Sequence, residues 1–198
     1  MIRTRTMTKT TKTKHSEEHI VLVDKNNNVL GTAPKLASHH KNTPLHRGFS
    51  VFLFNKKGFL LLQQRSNKKK TWPLVWSNSC CGHPKLDESN INAAKRRLKF
   101  ELGITHANIF EIISDFRYKV ELNGVIENEI CPILIGFTEQ QPIINKDEVN
   151  DTAWIAWDRF TEDIKNNRNK YSEWCILETE QLKSNKKFLS LYKKFAIF

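Results

Sequence analysis

From His19 onward the chain alternates short apolar runs with polar breaks, the rhythm of strands joined by tight turns. His19-Ile20-Val21-Leu22-Val23-Asp24 predicts a first strand, and the polar turn Lys25 to Asn28 leads into a second over Val29 to Thr32. Phe49 to Phe54 and Phe59 to Gln64 predict two more, joined across the hairpin signal Asn55-Lys56-Lys57-Gly58. After the segment Trp72 to Pro84 the spacing becomes helical. Ile91, Ala94, Leu98 and Leu102 form one stripe, which predicts a helix from about Ser89 to Leu102 with Gly103 as its stop. Ile112 to Leu122 and Val125 to Thr138 predict long strands on either side of Asn123-Gly124, a two-residue hairpin turn. The last third predicts a strand near Ala153 to Trp157, a short helix, and one C-terminal helix from about Ser172 to Lys194. No internal repeat is visible. Hairpin-linked strands with a few helices predict an α/β (α+β) sandwich built on a mixed sheet.

Composition sharpens this outline. A chain of 198 residues suits one packed domain better than two. Residues 1–17 alternate Thr with Lys or Arg and hold almost no apolar side chains, which predicts a disordered basic leader ahead of a domain over 18–198. An organelle-targeting peptide is the alternative there, but the segment lacks a leucine or aromatic face. No run nears the ~18 apolar residues that span a bilayer, and no secretory signal opens the chain. The expectation is a soluble cytoplasmic protein with no membrane partner. Its four cysteines include the neighbours Cys80 and Cys81, which are awkward disulfide partners. Reduced thiols follow, and a free thiol can be catalytic.

The net charge of +11 invites a nucleic-acid reading. Five of the positive charges lie in the first fifteen residues, and without them the balance is +6, with lysines scattered rather than striped. Aromatics do not alternate with basic residues as a stacking platform requires. A basic balance suits an anionic small molecule equally well, so no nucleic-acid partner is expected.

Candidate chemistry gathers in three places. Glu127 and Glu129 sit two apart in a strong strand pattern, so both project from one face. A solvated strand face is the plain explanation. The apolar flanks and the mutual repulsion of two carboxylates argue instead for a cation between them. His39, His46 and His83 are available to help, and three imidazoles with two carboxylates would suit a divalent transition ion or magnesium. The segment Trp72 to Pro84 places Cys81 beside His83, which predicts a thiol at a site rather than one inert in the core. On the predicted helix Arg97 lies one turn before Glu101, an arrangement fit to hold a magnesium-diphosphate.

Five motifs in order carry a family resemblance: Leu45-His46-Arg47-Gly48-Phe49-Ser50, Trp72 to Pro84, Asp115-Phe116-Arg117-Tyr118, Glu127-Asn128-Glu129-Ile130-Cys131-Pro132, and Ser172-Glu173-Trp174. The chain resembles the type I isopentenyl-diphosphate isomerases, the metal-dependent, flavin-independent family on a Nudix-like fold. The likeness covers about residues 18 to 180. It implies an α/β/α sandwich of one domain and a 1,3-allylic proton shift between isopentenyl and dimethylallyl diphosphate. It also implies an acid–base pair of Cys81 and Glu129, with Tyr118 and Trp174 at the reacting carbons. The implied metal site is His39, His46, His83, Glu127 and Glu129, holding Mn, Zn or Mg. Lys35, Arg65, Lys69 and Arg97 are implied to hold the diphosphate, whose own magnesium rides on Glu101. No flavin is implied, and the assembly expected is a monomer or weak dimer.

Gly82, Glu88, Arg96, Glu101, Gly103 and Ile104 keep the spacing of the Nudix signature, while Arg97 and Phe100 replace two of its glutamates. That loss argues against the rival reading, a Nudix hydrolase of a nucleoside diphosphate derivative. A non-catalytic phosphate- or nucleic-acid-binding module is the second rival. Two residues depart from the family pattern: Leu74 stands where glycine is usual, and Glu173 replaces a proline before Trp174.

Overall fold

The computed structural model describes residues 18–196, so the basic leader over 1–17 lies outside the described residues. The chain runs β1 (His19–Val23), β2 (Val29–Pro34), α1 (Lys35–Ser38), β3 (His46–Arg47), β4 (Phe49–Phe54), β5 (Phe59–Arg65), β6 (Trp76–Ser77) and β7 (Cys80–Gly82). It continues through α2 (Asn90–Leu102), β8 (Asn108–Ile113), β9 (Arg117–Leu122), β10 (Val125–Ile130), β11 (Ile133–Phe137) and β12 (Val149–Ala156). Helices α3 (Trp157–Asn166), α4 (Glu173–Ser184) and α5 (Lys186–Phe195) close the fold.

Two mixed sheets result, ordered β2-β1-β3-β10-β9 and β12-β5-β4-β11-β8, with β6 paired to β5 and β7 to β4. Strand β4 is buried along its whole length. Its odd positions Phe49, Val51 and Leu53 pack with Ala93, Ala94, Leu98 and Leu102 of α2. Its even positions Phe52 and Phe54 pack with Trp157, Phe160, Ile176, Leu182 and Phe188 of the C-terminal helices. The period of two in β4 therefore makes the α/β/α layering. Cys80 and Cys81 obey the same rule, Cys80 lying in the α2 layer and Cys81 against the other.

Helix α2 begins and ends where its sequence says. The Ser89 side chain caps it by accepting from the Asn92 N–H at 3.3 Å. Gly103, at φ 66°, closes it with its own N–H on Lys99 O and that of Ile104 on Leu98 O. Asn123 and Gly124 both take positive φ, as a two-residue hairpin turn requires.

Three long predictions break in the structure. Val125 to Thr138 is two strands, because Pro132 has no N–H to donate and the ladder cannot continue through it. Ile112 to Leu122 divides at Ser114–Phe116, leaving β8 and β9 in different sheets. The C-terminal helix stops at Asn185, whose side chain accepts from the Phe188 N–H at 2.9 Å and starts α5. The turn α1 and the two short strands β6 and β7 carry too few residues for a periodic signal.

These breaks position the site. Strands β3 and β10 run parallel in one sheet, and β4 and β11 continue them side by side in the other. The chain passes between sheets at Gly48 and at Cys131-Pro132. There Gly48 N–H donates to Ile130 O at 2.9 Å, and Ser50 N–H to Pro132 O at 3.0 Å. Gly48 also leaves room for a carboxylate, since a Cβ there would lie 2.1 Å from Glu129 Oε2.

Leu74 sits exposed at φ 60°, a left-handed conformation that a branched side chain tolerates poorly. Leu74→Gly is expected to raise stability by about 0.5–1 kcal/mol, the relieved strain less the greater unfolded entropy of glycine. A higher denaturant midpoint at constant slope would register it.

Candidate active site

Strand register assembles the first cluster. Glu129 on β10 lies opposite His46 on β3 and opposite Tyr118 on β9, so its side chain is flanked by both on one sheet face. Tyr118 donates its hydroxyl to Glu129 Oε2 at 2.8 Å. His46 Nε2 lies 3.3 Å and His83 Nε2 3.0 Å from Glu129 Oε1. Two residues back, Glu127 Oε2 lies 3.0 Å from His39 Nε2. Ligand atoms of the three histidines lie within 4.8 Å of one another, as do those of His46, Glu127 and Glu129. The five side chains that the family resemblance implies as metal ligands thus lie together.

The donor set fits a divalent cation. His39 Nδ1 faces Lys35 O at 2.6 Å, and His46 Nδ1 faces Pro44 O at 2.9 Å. A carbonyl accepts only, so each Nδ1 carries a hydrogen and Nε2 is the ring atom turned toward the carboxylates. His46 Nε2 and Glu127 Oε2 are buried without a hydrogen-bond partner. A positive charge between them would satisfy both atoms. Burial pulls His83 down to about 4 against the opposing effect of Glu129, which leaves it neutral and able to ligate. His39 goes the other way: burial lowers it, but the hydrogen bond and charge of Glu127 prevail. Glu129 is held well below the usual carboxylate range, burial being overcome by His46 and His83.

The second cluster surrounds the thiol. Cys81 on β7 is the cross-strand partner of Ser50 on β4, and their Sγ and Oγ atoms are 3.3 Å apart. The thiol donates to Asn78 Oδ1 at 3.2 Å. Burial pushes it up to about 12, so Cys81 keeps its proton as a thiol. Trp174 on α4 donates its Nε1–H to Ser77 Oγ at 3.1 Å and stacks on Tyr118 at 6.2 Å between ring centres. Glu173 does not displace it. Instead its carboxylate accepts from Trp72 Nε1 at 2.8 Å, and the Trp72 ring meets Trp174 edge-on at 5.2 Å.

The third cluster is ionic. The Arg97 guanidinium reaches Glu101 Oε1 through Nε at 2.9 Å, Glu148 Oε2 at 3.0 Å and Glu18 Oε1 at 2.8 Å. Lys35 pairs with the other Glu18 oxygen at 2.7 Å, and Lys69 with Glu148. Arg65 stands apart from this chain of pairs. Its guanidinium donates to Thr71 O and Trp72 O and lies 5.4 Å from the centre of the Trp174 ring. The turn α1 links two clusters, with the Lys35 side chain among the ion pairs and its carbonyl orienting His39.

Comparison with known proteins decides the family. Residues 44–175 match the model of the NUDIX domain. The isopentenyl-diphosphate Delta-isomerase of Saccharopolyspora erythraea is 42% identical over 166 residues, which are 83% of this chain and 86% of that one. Its counterpart in Klebsiella pneumoniae is 41% identical over 82% of this chain and 89% of its own. The chain belongs to the isopentenyl-diphosphate Delta-isomerase family. A Deinococcus radiodurans protein of known structure, 16% identical, superposes with a TM-score of 0.61 over 90% of this chain and 99% of its own, a likeness of fold.

Several members of these clusters in the isomerase chain escape a reading of the sequence. Glu18 precedes the first strand, and Glu148 sits in the polar connection before β12, both without a pattern to mark them. Glu178 is the most unusual. It is fully buried, its Oε2 has no partner among the described residues, and its Oε1 accepts from the Cys131 thiol at 3.7 Å. Its position four after Trp174 and three after Cys175 marks the buried face of α4, the one signal available.

Burial raises the Glu178 carboxyl well above its usual value, so it stays protonated in the fold. Below the usual value of 4.5 it is neutral whether folded or unfolded, and it has no effect on stability there. Above that pH the unfolded chain ionises it and the folded chain does not, which costs stability at about 1.4 kcal/mol per pH unit until the folded group also titrates. Glu178→Gln is therefore expected to stabilise the protein at pH 8, with the gain vanishing as the pH falls toward 4. Unfolding curves of both proteins across that range would show it.

Proposed function

We propose that this protein interconverts isopentenyl diphosphate and dimethylallyl diphosphate by adding a proton at one end of the allylic unit and removing one at the other. The observation that carries this is the paired setting of Glu129 and Cys81. A carboxylate oriented by Tyr118 and two histidines is accompanied, one crossover away, by a half-buried protonated thiol. The two groups hold one proton between them, on sulfur. An unactivated alkene is a feeble base, so positioned proton carriers on opposite faces of the hydrocarbon do most of the work.

Tyr118 holds Glu129 in place and lies against the Trp174 ring. That ring offers a π-face to the tertiary carbocation, a stabilisation of about 2 kcal/mol in a dry site. The surrounding burial keeps water from quenching the cation.

His39, His46, His83, Glu127 and Glu129 hold a divalent cation, for which Mn, Zn and Mg all suit the mixed nitrogen and oxygen donors. Bound there, it supplies positive charge that fixes the carboxylates and tunes the proton affinities around them. Lys35, Arg65, Lys69 and Arg97 receive the diphosphate, and Glu101 carries its magnesium. The domain responsible spans 18–198. The hydrolytic alternative is disfavoured because Arg97, in place of a signature glutamate, neutralises Glu101. Incubation with isopentenyl diphosphate and a panel of nucleoside diphosphate derivatives separates the two. The expected result is an allylic C5 diphosphate with no phosphate released, whereas phosphate or a nucleoside monophosphate from the panel would reverse the assignment.

A further inference from the structure

Glu18 holds two of the cations to which the diphosphate is assigned. Its Oε1 accepts from Arg97 Nη1 at 2.8 Å and its Oε2 from Lys35 Nζ at 2.7 Å. The rest of the Arg97 guanidinium is committed inside the fold. Nε and Nη2 donate to Glu101 Oε1, and Nη2 also donates to Glu148 Oε2 at 3.0 Å. The Phe100 ring covers the guanidinium, 5.1 Å from its centre. Nη1 is therefore the guanidinium nitrogen that a ligand arriving from solvent meets, and Glu18 already occupies it.

Of the three carboxylates around Arg97, Glu18 is the one able to leave. Its side chain is 49% exposed, against 4% for Glu101 and 17% for Glu148. It precedes β1, and its backbone is anchored separately, the Glu18 carbonyl accepting from the Lys35 N–H at 2.8 Å. The carboxylate can swing into water while the strand stays paired. Charge explains why it must. Lys35, Lys69 and Arg97 balance Glu18, Glu101 and Glu148 one for one. An anion reaching this balanced cluster meets little net attraction until a carboxylate withdraws. With Glu18 in solvent the cluster is positive, and Lys35 and Arg97 Nη1 have hydrogens to give to phosphate oxygens.

We propose that Glu18 sets substrate affinity as an internal competitor, bridging Lys35 and Arg97 until the diphosphate displaces it. This rests on the reading of these cations as the diphosphate site. The displacement is complete once substrate is bound, so it weighs equally on the ground state and the transition state. Its removal therefore shows in KM rather than in kcat. Glu18→Gln is expected to lower KM for isopentenyl diphosphate about fivefold, the effect of losing two partly exposed ion pairs, with kcat at the wild-type value. A purely structural Glu18 predicts the opposite. It would serve to hold Lys35, whose carbonyl orients His39, and its loss would raise KM or lower kcat.

Calorimetric titration of the full-length, metal-loaded protein with inorganic diphosphate and magnesium reads the competition without turnover. Glu18→Gln is expected to bind diphosphate more tightly than the wild type, by the same factor as the fall in KM. Glu18→Ala, which removes the carboxylate together with its stem, is expected to match it. Equal or weaker binding in both variants, or a KM that stays or rises, would overturn the proposal and leave the diphosphate site standing. Failure of the wild type and both variants to bind diphosphate would overturn the assignment of the cationic site, and this proposal with it.

Discussion

Cys81→Ala is expected to lower kcat about a thousandfold while bound metal stays at the wild-type level. The thiol contacts Ser50 and Asn78 and none of the five clustered histidine and glutamate side chains, so its removal leaves that cluster intact. What disappears is one of two proton carriers, and its partners Ser50 and Asn78 do not supply another. Metal analysis alongside steady-state rates checks both halves. Wild-type turnover would remove Cys81 from the chemistry, and lost metal would move it into the ligand shell.

The second large effect concerns the cation. Chelation is expected to abolish turnover and lower the melting temperature, with both restored when a divalent ion is returned. The reason lies in the buried, unpartnered His46 Nε2 and Glu127 Oε2, polar atoms whose desolvation is offset only by a positive charge. Glu129→Gln should lose activity too, but less informatively, since that side chain also accepts from Tyr118 and faces two histidines. Unchanged activity and melting after exhaustive chelation would contradict the ligand assignment.

Much of the arrangement was legible in the chain because it depends on alternation and register. Glu127 and Glu129 share a face by strand periodicity alone, and Arg97 and Glu101 meet because four residues make about one helical turn. The sandwich layers follow from the alternation within Phe49–Phe54. What stayed hidden is where strands change sheets. The apolar run through Cys131-Pro132 reads as one strand, yet the proline forces a crossing, and that crossing brings Cys131 and Ser50 beside Cys81. Local pattern cannot name a partner from another sheet. Glu178 was hidden for a related reason: a lone glutamate on a helix reads as solvated, and only the packing of α4 shows it enclosed. Glu18 and Glu148 pair with Arg97 across 79 and 51 residues, separations no local motif encodes.

Leu74 shows the reverse case, where a departure visible in the sequence has a physical consequence in the fold. A position that favours glycine holds leucine at φ 60°, and the strain falls in the loop between Arg65 and the Trp76 strand. Glu173, the other departure, is accommodated through its bond to Trp72.

The central claim is that a proton is added to and removed from the hydrocarbon while the diphosphate stays intact. Turnover of isopentenyl diphosphate in deuterium oxide, followed by mass spectrometry and NMR of the C5 product, tests it most directly. The account predicts solvent deuterium in the methyl group of dimethylallyl diphosphate with no inorganic phosphate released. An unlabelled product, or phosphate released without isomerisation, would contradict it.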